Sequence, residues 1–557
     1  MSRKTIANLL RTFPIAALIA CASVSAPTIA ASFVVNNTGD AGDANPGDGV
    51  CATAGNVCTL RAAIEEANAL AGADSIGFNL SGSGVITITK TSAFPDITGV
   101  VHINGYSQTG ATANTLAVGS NATLRVRFDQ PGTPSLNSAG FTFVPGSDGS
   151  SIRGLIMSGH NHAVLLRGVS NVTVAGNFIG TDATGANLAN AFGVFMLAAG
   201  NTGASNNIVG GANPADRNVI ANNHSTGVSI GSSPSTGNTV RNNYIGTAPD
   251  GIAVRQNATY GVFINSAAAT VVRDNVITTN DVSILVSNGG ANQTSIVGNV
   301  IGVGANGTAI TGGGRGIVVS SGNSGAPQMT SIGGIGAGQG NVIANQSGIA
   351  VQVDRGAVAH SYPSNTIIRG NSIYNNGGLG IDLADSATAT GVGTVNANDS
   401  NDADAGANDF QNYPVVTAAT TDGATTTISF TYNSAALGNY VVDAYSSTVC
   451  DASGHGEGRT YLGTINVNTD AAGNGGATMA SLPATIVGHV ITLTAMDALY
   501  QGTSEFSACR AVTAAAPTLA AQVQPVPVWG AWGGAIAALL MAGVVARTAR
   551  FHRTKRG

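Results

Sequence analysis

Between residues 76 and 385 the apolar positions follow no helical period. They come in short bursts of Val and Ile set off by Gly, Asn, Ser and Thr, and the bursts resemble one another. Asn171-Val172-Thr173-Val174-Ala175-Gly176-Asn177-Phe178-Ile179-Gly180 returns as Thr239-Val240-Arg241-Asn242-Asn243-Tyr244-Ile245-Gly246. It returns again as Val271-Val272-Arg273-Asp274-Asn275-Val276-Ile277, Ser295-Ile296-Val297-Gly298-Asn299-Val300-Ile301-Gly302 and Thr366-Ile367-Ile368-Arg369-Gly370-Asn371-Ser372-Ile373, with related copies around Asn218 and Asn341. Successive copies of this Asn are 41, 25, 32, 24, 42 and 30 residues apart. One coil of ~20–25 residues accounts for the short spacings, and two coils or a longer loop for the rest. Short strands repeating at such a period predict a β-solenoid in which each coil buries its apolar face against the next. At ~23 residues per coil the segment holds ~13 coils, and at the ~4.8 Å strand separation the rod is ~60 Å long. The repeated Asn is expected in a bend whose left-handed conformation it tolerates. Its amide is expected to bond along the stack, as in cross-β amide ladders, and glycine opens corners too tight for a Cβ.

The pattern changes outside this region. Residues 59–69 form the one clear helix: Thr59 can N-cap it, and Leu60, Ile64 and Ala67 share a face. From residue 413 to 510 the chain alternates with a period of two, as in Thr426-Thr427-Ile428-Ser429-Phe430-Thr431-Tyr432, Tyr440-Val441-Val442-Asp443-Ala444-Tyr445 and His489-Val490-Ile491-Thr492-Leu493-Thr494-Ala495. Turns such as Asp470-Ala471-Ala472-Gly473-Asn474 separate these runs, which predicts a β-sandwich. Residues 386–412 are an Asp/Asn-rich linker, and 511–525 a second linker.

Composition sharpens the picture. Charged residues are 9 % of 557, and glycine is 76 of them. The chain has three lysines (Lys4, Lys90, Lys555) and four glutamates (Glu65, Glu66, Glu457, Glu505). A central stretch without these strong helix formers is not helical. No central run reaches the ~20 apolar residues of a membrane span. The small net charge of −5 and recurrent Ile and Val argue against disorder. No strong basic patch supports nucleic acid as a partner.

The two ends read as addresses. Residues 1–31 have the plan of a secretory signal: Arg3, Lys4 and Arg11 in front, an apolar stretch over 13–22, then small residues up to Ala30 and Ala31. Leu18-Ile19-Ala20-Cys21 also has lipobox spacing. At the other end, residues 526–557 carry an apolar run from Gly530 to Val545 followed by Arg547, Arg550, Arg553, Lys555 and Arg556. That run is short for one span, and its basic end would stay cytoplasmic. Cys21 leaves with the signal. Two disulfides among Cys51, Cys58, Cys450 and Cys509 suit an oxidising compartment.

Three segments carry family resemblances. Cys58, Leu60, Arg61, Ala63 and Ile64 resemble the CSLREA domain that opens many secreted bacterial proteins. That resemblance implies that residues 32–75 cap a right-handed parallel β-helix over 76–385. The alternating segment 413–510, with Thr503-Ser504-Glu505-Phe506-Ser507, is similar to the immunoglobulin-like module that often follows such a unit. Pro527, Trp532 and Gly533, with the helix and Arg-rich end behind them, resemble the IPTL-CTERM sorting signal of Gram-negative bacteria; Val528, Gly530 and Ala531 depart from its usual motif. This implies export through the inner membrane, transient tethering by the C-terminal helix, processing by a sorting peptidase, and residence at the cell surface, the outer membrane or outside the cell. The expected fold is thus all-β: a capped right-handed parallel β-helix followed by an immunoglobulin-like sandwich.

Candidate chemistry is sparse. Asp399, Asp402 and Asp404 lie in an oxygen-rich, Gly-ended stretch that suits calcium, and the loop from Asp40 to Asp48 is a weaker copy. A β-helix could instead be a carbohydrate-active enzyme working with paired carboxylates. With no Glu in the rod, its acids must come from Asp182, Asp216, Asp250, Asp274, Asp281, Asp354 and Asp382. Asp182 and Asp250 read as turn residues. Asp354, Arg355 and His360 form the best local cluster. His160 and His162 would face the same way on a strand, as a weak metal pair, and Arg241, Arg273 and Arg369 share a register that could make a broken cationic stripe. The balance favours a non-catalytic adhesin, scaffold or glycan binder, with polysaccharide or other surface and matrix components as partners.

Overall fold

The computed structural model describes residues 30–132, 139–278, 280–310, 313–356, 361–385 and 393–516. Residues 1–29 of the signal segment and the sorting residues Pro527, Trp532 and Gly533 lie outside them. Compact packing places the described residues up to Thr513 in one unit. Among the described residues no helix is long and apolar enough to cross a membrane.

The rod is a right-handed parallel β-helix of three sheets. Eleven strands stack in the first, from Ser32–Val35 to Ile367–Arg369. Ten stack in the second, from Ile86–Thr89 to Ser372–Tyr374, and nine in the third, from Phe141–Phe143 to Ile381–Ala384. Eleven strands at ~4.8 Å spacing give a stack of ~50 Å, shorter than the ~13 coils and ~60 Å expected. The reason is visible in the corners. Asn177, Asn218, Asn243, Asn275, Asn299, Asn341 and Asn371 each bond directly to the next, so every spacing from 24 to 42 residues is one coil with a longer loop, never two.

That ladder is the expected amide column, with one correction. The ladder Asn is not the left-handed residue. The residue before it is, at Gly176 (φ 65°), Asn242 (55°), Asp274 (57°), Gly298 (66°) and Gly370 (63°). The turn is made first, and the Asn behind it is then free to point inward. From Asn177 to Asn341, each backbone N–H and Nδ2 donates to the Oδ1 of the next ladder Asn, as from Asn243 to Asn275 at 2.9 and 3.0 Å. All seven are at most 2 % exposed, so the ladder satisfies donors that water cannot reach. The Gly that ends the repeat is steric: a Cβ on Gly180, Gly246 or Gly302 would sit within 2.2 Å of a carbonyl oxygen of the next coil, and all three have positive φ.

Inside, Ile152, Val174, Val209, Val240, Val272, Ile296, Ile332 and Ile368 form one inward column, and Ile179, Ile220, Ile245, Ile277, Ile301, Ile343 and Ile373 another, each buried. The helix Leu60–Ala69 covers the first coils, capped by Thr59 Oγ1 accepting from the Ala62 N–H at 3.0 Å. The strand Ser32–Val35 already pairs in parallel with Ala73–Phe78, so the stack begins within the segment read as the cap. A loop following Asn104 runs along the outside of the second sheet. Arg217 fixes it by donating to the carbonyls of Leu116, Ala117 and Gly119 at 3.2, 2.8 and 2.7 Å.

Beyond the rod, Val415–Thr421, Thr425–Asn433 and Asn474–Pro483 form one antiparallel sheet. Thr460–Asn468, Asn439–Ser447, Val490–Asp497 and Arg510–Ala511 form the other. Ile428, Phe430, Val442, Ile491 and Leu493 pack between them. Cys51 is bonded to Cys58, and Cys450 to Cys509. The sandwich closes the open end of the rod. Phe506 and Tyr445 join the rod's core, Arg369 makes a forked ion pair with Asp443 at 2.6 and 2.7 Å, and Ile373 N–H donates to the Gly458 carbonyl at 2.9 Å. The segment read as a linker is part of this closure: Asn408 is buried and bonds Thr366 and Thr503.

Candidate functional site

The third sheet exposes the feature that stands out from the rest of the rod. Its six-residue strands alternate, with Val194 and Met196, Val262 and Ile264, or Ile284 and Val286 pointing into the core. The residues between them therefore point out. Alternation turns Leu165 on His162–Arg167, Phe195 on Phe192–Leu197 and Phe263 on Tyr260–Asn265 outward, and the first residues of these strands, His162, Phe192 and Tyr260, lie beside them although they share the parity of the inward positions. All six are partly exposed. The register stacks them: His162 opposite Phe192, Leu165 opposite Phe195, Phe195 opposite Ser229, Ser229 opposite Phe263, and Phe263 opposite Leu285.

The rings touch. His162 stacks on Phe192 with centroids 5.2 Å apart and meets Phe195 at 4.9 Å; Phe192 and Phe195 are 5.3 Å apart, and Tyr260 and Phe263 5.1 Å. Burial pushes the His162 imidazole down to about 4, so it is neutral at physiological pH and belongs to the aromatic surface. The outward positions on the strands Phe192–Leu197, Thr226–Gly231, Tyr260–Asn265 and Val282–Ser287 carry no charge. An aromatic strip with no charge on these outward positions can stack against apolar faces of a ligand while neighbouring polar groups bond its polar edges.

The same face ends differently near the sandwich. The column continues through Val318 and Gln352 to Asp382. Asp382 is fully buried and accepts from the Gly393 N–H at 3.1 Å. Burial pushes it up to about 7, and the nearby Asp354 adds to the shift. Asp354 accepts from the Gly356 N–H at 2.9 Å and is 5 % exposed. The two carboxyls are neighbours, but neither faces solvent.

The remaining sequence candidates have structural work. Asp182 and Asp250 accept turn N–H groups, from Thr184 and from Ile252, each at 2.8 Å. Asp216 closes the short helix Pro214–Asp216 onto Asn213. Asp281 lies in the turn before Val282–Ser287. The cationic stripe does not form: Arg241 and Arg273 both pair with Asp274, at 3.2 and 2.9 Å, and Arg369 is spent on Asp443. His160 and His162 do not face the same way. His160 is buried against Phe128, with Nε2 3.2 Å from that residue's carbonyl oxygen, because it precedes the strand. Arg355 pairs with Asp385 at 2.9 Å, and His360 lies outside the described residues.

The acidic stretch does come together. Asp399, Asp402 and Asp404 each offer an oxygen within 4.8 Å of the others. Burial pushes Asp402 up to about 6, and repulsion from Asp404 and Asp399 adds to it. Its oxygens also accept from Ser434 Oγ at 2.7 Å, from the Asn412 N–H at 2.9 Å and from Gln411 Nε2. The earlier loop is organised differently: Asp40 is committed to Arg61 at 3.0 Å and to Thr91, and Asp43 accepts from Asn45 and Ala52 N–H groups.

No protein-family model matches the chain, and no curated protein matches it. Solved structures do. The A-module of the Azotobacter vinelandii mannuronan C-5 epimerase AlgE6 is 15 % identical at a TM-score of 0.33, over 58 % of this chain and 67 % of that one. Dettilon tailspike protein is 14 % identical at 0.31, over 76 % and 90 %. The tailspike protein of E. coli bacteriophage HK620 in complex with pentasaccharide is 12 % identical at 0.21, over 79 % and 93 %. These are distant similarities of chain path, and no ligand or reaction is taken from them.

Proposed function

We propose that this is an exported, non-catalytic β-helical rod that binds polysaccharide at the cell surface or in its matrix. The observation that carries it is the aromatic strip His162, Phe192, Phe195, Tyr260 and Phe263, with no charge on the outward positions from Phe192–Leu197 to Val282–Ser287. Partly exposed rings beside polar groups suit a sugar's mixture of C–H faces and hydroxyl edges. The acids support binding over cleavage. Hydrolysis needs two carboxyls flanking an open bond, ~5–9.5 Å apart, and Asp354 and Asp382 are closed off from solvent. The proposal includes the signal at 1–31, tethering through 526–557 with Pro527, Trp532 and Gly533 as the sorting motif, and a sorting peptidase as a transient partner. It also includes calcium at Asp399, Asp402 and Asp404, which would relieve their mutual repulsion beside the sandwich.

Affinity electrophoresis of the exported chain in gels containing soluble polysaccharides tests the function. At least one polysaccharide should retard it, with Phe195→Ala and Phe263→Ala weakening the retardation and no new reducing ends or unsaturated products appearing. Product release would establish the carbohydrate-active enzyme in place of the scaffold.

A further inference from the structure

The sandwich meets the rod with the face of one sheet. On Asn439–Ser447, Tyr440, Val442 and Ala444 pack inside the sandwich, while Asp443 and Tyr445 turn outward onto the rod. One end of the sandwich carries the turn Ile486–His489, closed by the His489 N–H donating to the Ile486 carbonyl at 3.0 Å, with Gly488 at φ 92°. Turn tips ordinarily carry Gly, Pro, Asn, Asp or Ser. This one carries Ile486 and Val487, 66 % and 57 % exposed, and Val449 beyond the adjacent strand end is 68 % exposed. The tip is firmly held, since the Thr485 N–H donates to Thr426 Oγ1 at 2.9 Å.

The chain leaves the sandwich beside this tip. The Gly488 N–H donates to the Val512 carbonyl at 3.0 Å, and the Val512 N–H to the His489 carbonyl at 2.8 Å. Ala516 is the last described residue, and residues 517–529 lead from it to the apolar run Gly530–Val545. Fully extended they span ~45 Å, and as a flexible coil ~20 Å. A tether that short keeps the tip at high effective concentration near any surface the run enters. We infer that Ile486, Val487 and Val449 dip into the lipid bilayer that the C-terminal run enters, giving the sandwich a second hold on the membrane. The inference rests on the reading of residues 526–557 as a tether.

Charge separates this end from the other. Leu437, Leu499 and Tyr500 are exposed at the far end. They stand beside Asp470 and Asp497, near the acidic turn whose Asp402 accepts from Ser434. The two arginines between residues 413 and 510, Arg459 and Arg510, both lie at the Ile486 end, next to Thr460 and opposite Ile491. Asp422 and Asp451 offset them there, and Glu457 is buried. Anionic headgroups therefore repel the far end and accept this one.

The test uses the full exported chain with vesicles of phosphatidylethanolamine and phosphatidylglycerol. The four cysteines that remain after signal removal are paired. An environment-sensitive fluorophore can therefore go on a cysteine introduced as Ile486→Cys, or as Leu437→Cys at the far end. Flotation reports whether the vesicles hold the chain, and circular dichroism that each variant folds. On vesicle-held chain the label at 486 should shift to the blue and lose at least half its intensity to a quencher carried on the lipid tails. The label at 437 should keep its intensity. Equal responses of the two labels in a chain that floats overturn the lipid contact and leave the tether standing. A chain that does not float overturns the tether and the contact with it. A label at 486 that is shielded from water but not quenched from the lipid assigns the tip to another part of the chain or to a second copy, and overturns the lipid contact.

Discussion

Replacing Asn275 by Ala should be among the most damaging single changes in the rod, although it removes only a polar side chain. Asn275 Oδ1 accepts from the Asn243 N–H at 2.9 Å and from its Nδ2 at 3.0 Å, and its own Nδ2 donates to the Val240 carbonyl at 2.9 Å and to Asn299 Oδ1 at 3.0 Å. All three Asn residues are fully buried. Asn243 Nδ2 keeps other acceptors, on Val209 and Arg241, but its backbone N–H loses its partner. A stranded buried donor costs about 1–3 kcal/mol. The lost Val240 contact and the void left in a close-packed corner bring the total to about 3–4 kcal/mol. That is a large fraction of a usual folding stability of about 5–15 kcal/mol. Urea denaturation should show it as a lower midpoint. Asn306→Ala, in an exposed turn where the side chain accepts one N–H at 3.0 Å, should cost under about 1 kcal/mol. Asn275→Asp adds a sign test. A carboxylate there faces the Asn299 oxygen and cannot donate to Val240, so this variant should be the worst at neutral pH and recover as acid restores a donor. A loss below about 1 kcal/mol for Asn275→Ala would refute the ladder as a main source of rod stability.

Three further outcomes follow from the closure and the acidic turn. Burial pushes Glu457 up to about 7 and Glu505 up to about 8 where they accept from Asn376 and from Leu383 and Asn396. A folded-state rise in an acid means its stabilisation is complete below the unfolded value near 4.5 and is lost as pH rises through the folded one; the melting temperature should therefore fall between pH 5 and 8, and Glu457→Gln should flatten part of that fall. Replacing Cys450 and Cys509 by Ser opens a 59-residue loop and should cost about 2–4 kcal/mol of sandwich stability, measured by guanidinium unfolding with and without reductant. Millimolar calcium should raise the melting temperature of the wild type but not of Asp402→Asn, whereas equal melting with calcium and with chelator assigns the acidic turn to its own hydrogen bonds.

Much of this architecture is legible in the sequence because a solenoid repeats its chemistry. The seven ladder positions all read Asn-x-Ile, since each coil meets the same corner, although Asn206 and Asn365 carry the same spacing outside the ladder. Coil number cannot, because loops of different length hide a constant corner-to-corner step; the 41 residues between Asn177 and Asn218 contain one turn. The closure is illegible for a related reason. Glu457 and Glu505 lie far from the coil they finish, and nothing local marks them as acceptors for Asn376 and Leu383. Yet the scarcity of glutamate points there. Glu65 and Glu66 accept N–H groups at the capped start, from Asp43 and from Gly47 and Gly49, so all four glutamates serve the two ends of the stack. The aromatic strip had a signal too. Phe192-x-x-Phe195 and Tyr260-x-x-Phe263 have the same spacing, but rings in apolar bursts read as core until the register turns them outward.

The most direct measurement is a binding isotherm of the exported chain with the polysaccharide that retards it, run beside a product assay on the same sample. The account predicts saturable binding that Phe195→Ala and Phe263→Ala weaken at least tenfold together, with the polymer recovered uncut. Equal binding by wild type and double variant, or a polymer shortened after incubation, would contradict it.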